Sequence, residues 1–75
     1  MSTPQPIPED VPIREEPIRI GQFLKLAGLA EDGADAREIL EAREVTVNGA
    51  PEHRRGAQLR RGDVVSVAGR SLRPA

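Results

Sequence analysis

The sequence predicts an α+β fold, with two short helices packed on a small antiparallel or mixed sheet and a disordered N-terminal tail. Helical spacing of apolar residues gives way near Val45 to strict alternation. Glycine-containing pairs such as Asn48-Gly49 and Gly62-Asp63 then mark turns. Helices followed by strands, rather than alternating with them, are typical of this class. A chain of 75 residues has room for one domain.

The first 17 residues differ in composition from the rest of the chain. They hold five of the seven prolines and four acidic side chains against one arginine. Proline removes a backbone donor and disfavours helix in the residue before it. We expect a disordered, proline-rich acidic tail over residues 1–17 and a domain over residues 18–75. The tail is interpreted most simply as an untethered terminus, and alternatively as a docking segment for a protein partner or as an acidic segment that folds over the basic face in place of RNA.

The first helix is predicted over residues 21–27. Phe23 and Leu24 follow Ile20 at helical spacing. Gly28 is placed to end the helix, because glycine accepts the left-handed conformation that commonly follows a helix. This helix is short for a globular domain, so it needs packing against the rest of the chain.

The second helix is predicted to start after Asp32 and to run to about residue 42 or 43. The Asp32 side chain can accept hydrogen bonds from the free amides of a first helical turn. Ala36, Ile39 and Leu40 then form an apolar stripe with charged residues outside it.

The remaining sequence predicts short antiparallel strands. Val45 and Val47 face one way, and the pair Asn48-Gly49 is a strong hairpin signal because both residue types tolerate positive φ. Pro51 is expected to prevent regular pairing at its own position. Residues 64–67 form the best strand of the chain, and residues 71–73 can close a final one. The predicted core comprises Ile20, Phe23, Leu24, Leu29, Ala36, Ile39, Leu40, Val45, Val47, Leu59, Val65, Val67 and Leu72.

Composition argues against several function classes. The chain has no cysteine, and its single histidine, His53, leaves few zinc or acid–base arrangements. We therefore expect no catalytic site, no metal and no cofactor, and we predict that the protein is not an enzyme. The sequence shows neither a secretory leader nor an apolar run of membrane-spanning length. These features predict a soluble, cytoplasmic monomer without a membrane partner.

Charge is distributed unevenly along the chain. Residues 1–36 carry three basic and seven acidic side chains, whereas residues 37–75 carry eight arginines and five acidic side chains. The overall net charge of −1 therefore conceals an acidic first half and a basic second half. Such asymmetry indicates either a surface that meets a polyanion or an ordinary solvated surface of mixed charge.

The order of these motifs resembles the S-four RNA-binding domain, also called the α-L motif. The similarity covers about residues 18–73. It rests on the segments Phe23-Leu24-Lys25-Leu26-Ala27-Gly28-Leu29, Ala36-Arg37, Val45-Thr46-Val47-Asn48-Gly49 and Gly62-Asp63-Val64-Val65. The stretch Glu52-His53-Arg54-Arg55-Gly56 is similar to the short bacterial single-domain subgroup called YbcJ-like.

The resemblance implies a non-catalytic module that binds structured RNA, either ribosomal or transfer RNA, and through it the ribosome. Arginine suits this role because its planar fork can bond two phosphate oxygens, and A-form RNA is recognised largely by phosphates and shape. The family's basic contacts match Lys25, Arg37, Arg54 and Arg55, and Arg60 and Arg61 can supplement them. The predicted RNA contacts are therefore Lys25, Arg37, Arg54, Arg55, Arg60 and Arg61.

The same residues allow other interpretations. Arg37 can pair with Glu41 one helical turn away, and one of the loop arginines can pair with Glu52. The subgroup usually has two further basic residues where this chain has Ala57 and Gln58. A basic face thinned in this way favours an alternative function, a protein-interaction module that keeps the fold with weak or no RNA binding.

Overall fold

The computed structural model describes residues 7–75, and within that range two helices share one core with a five-stranded mixed sheet. The helices are α1 (Ile20–Leu26) and α2 (Gly33–Glu41). The strands are β1 (Glu9–Val11), β2 (Ile18–Arg19), β3 (Val45–Val47), β4 (Ala50–Pro51), β5 (Gln58–Leu59), β6 (Val65–Val67) and β7 (Arg70–Pro74). The predicted α+β class, with two short helices and a small mixed sheet, is confirmed.

The larger sheet has the strand order β1-β7-β6-β3-β4. Two-residue turns connect β3 to β4 and β6 to β7, and β3 also pairs antiparallel with β6. Strand β1 alone in this sheet runs parallel to its neighbour, β7. Strands β2 and β5 form a separate antiparallel pair that joins the start of α1 to the loop after β4.

The prediction of a disordered tail through residue 17 is wrong for residues 9–17. Strand β1 lies in the sheet, the Ala75 amide donates to the Val11 carbonyl at 2.9 Å, and the Ile13 amide donates to the Ala75 carbonyl at 3.0 Å. Ile13 is buried. Pairing with the end of the chain provides hydrogen bonds that local sequence patterns do not reveal. Residues 1–6 lie outside the described residues.

The core agrees with most of the predicted apolar positions. The buried hydrophobic residues are Ile13, Ile18, Ile20, Phe23, Leu24, Ala30, Ala36, Leu40, Val45, Leu59, Val65, Val67 and Leu72. Three of these, Ile13, Ile18 and Ala30, were not predicted. Leu29, Ile39 and Val47 were predicted to be buried, but they are only partly buried and pack at the edge of the core.

The helix boundaries follow the predicted signals closely. Asp32 is the N-cap of α2, and its side chain accepts a hydrogen bond from the Asp35 amide at 2.9 Å. Gly28, after α1, has a positive φ of 79°. The expectation for Pro51 is wrong, because it pairs with Thr46 in β4. That strand is at the edge of the sheet, where a missing N–H interrupts no central ladder. Neither helix within residues 7–75 could cross a membrane.

Candidate nucleic-acid interface

The structure brings two of the six predicted contact residues together in one concavity. Lys25 from α1 and Arg55 from the loop between β4 and β5 both line it. The concavity has a volume of about 430 Å³, and its complete lining is Arg19, Gly21, Gln22, Lys25, Gly33, Ala36, Arg55 and Gly56. We call these eight residues the basic concavity.

Three positive side chains define the electrostatics of the basic concavity. Arg19, Lys25 and Arg55 line it, and none of them takes part in an ion pair among residues 7–75. All three are exposed. Cations that share a concave surface and lack carboxylate partners raise the local concentration of anions. The arrangement is therefore suited to phosphate groups.

The close contact between α1 and the Arg55 loop builds this site. The first helical residues lack a side-chain cap. Instead, the Ile20 amide donates to the Ala57 carbonyl at 2.8 Å, and the Gly21 amide donates to the Arg55 carbonyl at 3.3 Å. The loop backbone thus satisfies amides that would otherwise lack partners at the start of the helix.

Glycine at position 21 allows this close approach. A Cβ atom there would lie 3.0 Å from Arg55 Cγ and 3.4 Å from the Arg55 carbonyl oxygen. Glycine is used where two backbones must come close together. The β2–β5 pairing holds Arg19 opposite Gln58 and so keeps Arg19 beside the same loop.

Arg54, unlike Arg55, forms an ion pair. Its guanidinium donates to both carboxylate oxygens of Glu52, each at 3.4 Å, and Glu52 also accepts the His53 and Arg54 amides. These hydrogen bonds, led by that from the Arg54 side chain, lower the pKa of Glu52 below its usual range. The Arg54 side chain is 75% exposed, so this ion pair is weak. The Glu52 carboxylate thus partly offsets the charge of Arg54, and the Arg54 side chain remains accessible to solvent.

Arg37 lies on α2 outside the basic concavity. Its Nε donates to Glu41 Oε1 at 2.9 Å, which is the pairing one helical turn away that the sequence allowed. This hydrogen bond, with the charge of Glu41, raises the pKa of Arg37 above its ordinary value. Both side chains are exposed, so the pair is readily exchanged for another partner.

Arg60 and Arg61 face the N-terminal segment. The Glu16 carboxylate lies 3.6 Å from Arg60 Nη1 and 3.1 Å from Arg61 Nη1. Arg61 also donates from Nη2 to the Ile13 carbonyl at 3.0 Å. Neither arginine lines the basic concavity.

Sequence reasoning did not select Arg19 or Gln22. Alternation of Ile18, Arg19 and Ile20 indicates that Arg19 points outward, but many outward arginines have no function. Its position in the basic concavity comes from the pairing of Arg19 with Gln58, which is a contact between distant parts of the sequence. No local pattern signals that contact.

Comparison with known proteins gives three similarities. The family profile described as S4 domain matches residues 11–73. The probable ribosome maturation protein RlbA of Bacillus subtilis is 46% identical over 59 residues, which cover 79% of this chain and 83% of that protein. The solution structure of YbcJ from E. coli, described as revealing an alfaL motif involved in RNA-binding, superposes with a TM-score of 0.68 at 29% identity. That similarity covers 100% of this chain and 96% of YbcJ.

The family profile begins at residue 11, within the N-terminal segment that completes the sheet, and ends within β7. It therefore spans both helices and the loop that carries Arg55. With a profile match over most of its length and a relative of this identity and coverage, the chain belongs to the S4 domain family.

Proposed function

We propose that the protein is a non-catalytic RNA-binding module that holds the phosphate backbone of structured RNA in the basic concavity. The observation that carries this proposal is the convergence of Arg19, Lys25 and Arg55 without carboxylate partners among residues 7–75. The RNA-binding motif of YbcJ and the name of the RlbA relative support it.

The chemistry of the concavity favours recognition of shape over sequence. The protein has no tyrosine or tryptophan, and its single phenylalanine, Phe23, is fully buried. Stacking of unpaired bases on aromatic side chains, which single-strand binders use, is therefore not available. Cations on an exposed concave surface instead suit phosphates that face one another across a groove of A-form RNA. We expect about three to five phosphate contacts, with Arg54 and Arg37 as exchangeable additions.

We further propose ribosomal RNA as the target and the ribosome, in the cytoplasm, as the place of action, with transfer RNA as the second candidate. The ribosome-maturation name of the relative favours this order. Crosslinking in cells followed by sequencing of the bound RNA tests it. Recovery of messenger RNA alone would contradict it.

The contact site is tested by the double variant Lys25→Ala with Arg55→Ala. Binding to purified ribosomal RNA fragments is measured by fluorescence anisotropy over a series of salt concentrations. We expect weaker binding and a salt dependence whose slope falls by roughly two, because each lost phosphate contact removes roughly one unit.

Arg43→Gln serves as the control, because it removes a charge near the end of α2 and outside the lining of the concavity. It should leave the slope nearly unchanged. Wild-type affinity in the double variant would refute the assignment of the concavity.

The alternative function is a protein-interaction module with weak or no RNA binding. It is favoured by the carboxylates that neutralise Arg60, Arg61, Arg70 and Arg73. If the wild-type protein binds no ribosomal RNA at low salt, this alternative replaces the RNA-binding function.

A further inference from the structure

All the basic residues after position 56 are ion-paired with one short segment of the chain. Those residues are Arg60, Arg61, Arg70 and Arg73. Their partners are Glu9, Asp10 and Glu16, with shortest distances of 2.6 Å for Arg70–Glu9, 2.7 Å for Arg73–Asp10 and 3.1 Å for Arg61–Glu16. The acidic N-terminal segment, residues 9–16, thus covers the positive charge of the C-terminal third of the domain.

Packing and backbone hydrogen bonds hold this segment in place. Strand β1 runs in register with β7, where Asp10 lies opposite Arg73. Burial of Ile13 and its hydrogen bond to the Ala75 carbonyl fix the chain between Asp10 and Glu16. Exposed ion pairs contribute little stability. The carboxylates are therefore placed by the sheet and the core, and their main effect is on the electric field around these arginines.

The two groups of cations consequently differ in what they offer a polyanion. A phosphate approaching Arg61 or Arg73 must compete with a carboxylate within 4 Å and is repelled by it. A phosphate approaching Lys25 or Arg55 meets no paired carboxylate among residues 7–75.

We propose that the acidic N-terminal segment masks a second, latent polyanion-binding surface made of Arg60, Arg61 and Arg73, which come together where the Gly62 amide donates to the Pro74 carbonyl at 3.2 Å. Alternation along β7 places Arg70, with its partner Glu9, on the other face of the strand. The mask restricts RNA to the basic concavity and so gives the bound RNA one orientation. The restriction rests on the proposed function, whereas the latent surface does not. Removing the masking charges should create a second binding surface for any polyanion.

The test is the double variant Asp10→Asn with Glu16→Gln, which keeps side-chain shape and frees Arg60, Arg61 and Arg73. The probes are a 20-base-pair RNA duplex and immobilised heparin. We expect tighter duplex binding, a salt slope steeper by roughly two to three, and elution from heparin at higher salt. Adding Asp10→Asn and Glu16→Gln to the variant Lys25→Ala with Arg55→Ala should restore part of the duplex affinity that the latter pair alone weakens.

A matched control separates masking from net charge. Glu38→Gln with Glu44→Gln makes the same charge change at exposed residues that form no ion pair within residues 7–75. An equal gain in duplex affinity in both double variants would overturn the proposal. An unchanged salt slope and unchanged heparin elution in Asp10→Asn with Glu16→Gln would also overturn it. Thermal unfolding of each variant checks that the fold is intact.

Failure of the proposed function has a different signature. In that case the wild-type protein does not bind the duplex, or Lys25→Ala with Arg55→Ala has no effect on it. Heparin still tests the mask. Elution of Asp10→Asn with Glu16→Gln at higher salt than the control variant supports the mask, and elution at the same salt refutes it.

Discussion

Gly21 determines how closely the Arg55 loop approaches α1. The Gly21 amide bonds to the Arg55 carbonyl, and the space beside its Cα is occupied by the Arg55 side chain. A methyl group at this position would push against Arg55 at 3.0 Å, which requires a shift of a few tenths of an ångström. One glycine therefore connects helix formation to the presentation of a candidate phosphate contact.

Gly21→Ala should separate stability from binding. Alanine favours helix over glycine by roughly 1 kcal/mol, which offsets the steric cost, so the melting temperature should change little. Displacement of Arg55 should weaken RNA binding measurably in the anisotropy titration. Gly33→Ala makes the same change in the first turn of α2 with nothing within 4 Å of the new Cβ, so it serves as the control for stability alone and should raise the melting temperature. If Gly21→Ala binds RNA as well as the wild type, Arg55 does not depend on this contact.

Asn48 and Asp63 are structural residues of the family motif. Asn48 Oδ1 accepts from the Val64 amide at 2.9 Å, and its Nδ2 donates to Asp63 Oδ1 at 3.1 Å. Asp63 Oδ2 also accepts from the Arg60 amide at 2.8 Å. These hydrogen bonds therefore join the Asn48-Gly49 turn to the Gly62-Asp63 turn. The cations of the concavity lie on other segments.

Two hairpins of the sheet share one turn geometry but differ in sequence. Asn48-Gly49 has φ values of 52° and 85°, and Ala68-Gly69 has 51° and 80°. Both match the two-residue turn that requires positive φ at each position. Asparagine tolerates the left-handed conformation, whereas alanine is strained in it by roughly 1 kcal/mol.

Ala68→Asn should therefore stabilise the β6–β7 hairpin. We expect a gain in the free energy of unfolding of about 0.5–1 kcal/mol, measured by urea denaturation. The reciprocal change, Asn48→Ala, adds the same strain and removes the hydrogen bonds to Val64 and Asp63, so it should cost about 2 kcal/mol or more. An unchanged or lower stability in Ala68→Asn would show that the turn strain is relieved in another way.

At the level of elements, the sequence predicts what is encoded locally. Both helices, the Asn48-Gly49 hairpin and β6 were predicted because each has its own periodicity or turn residues. Strand β1 was missed because Pro8 and Pro12 flank it and its partner β7 lies at the other end of the chain.

In the candidate site too, the locally encoded features were predicted and the contacts between distant segments were not. Lys25 and Arg55 were predicted through the family motif. The concavity itself depends on the β2–β5 pairing and on the Gly21 approach, which are contacts between distant segments. Charge neutralisation of Arg60 and Arg61 by Glu16 was likewise hidden, because the partners lie 45 residues apart in the case of Arg61.

On the scale of the whole molecule, residues 9–13 and the C-terminal strand close the fold together. Strand β1 covers the otherwise open edge of β7, and the Ala75 backbone bonds to both Val11 and Ile13. A domain of this size buries a small core and is only marginally stable. The N-terminal segment should accordingly contribute to stability as well as to charge.

Ile13→Ala tests that contribution. Ile13 is 9% exposed and belongs to the core, so its truncation should cost about 2 kcal/mol, at the lower end for buried isoleucine because it lies near the sheet edge. For a domain of this length, that corresponds to a decrease in melting temperature of roughly 10 °C. Ile7→Ala is the matched control, because Ile7 is 88% exposed and its truncation should change the melting temperature by no more than 1–2 °C. Equal melting temperatures for the two variants would mean that residues 9–16 rest on the domain without stabilising it. Because the mask requires carboxylates held by a stable strand, that result would also argue against a fixed mask.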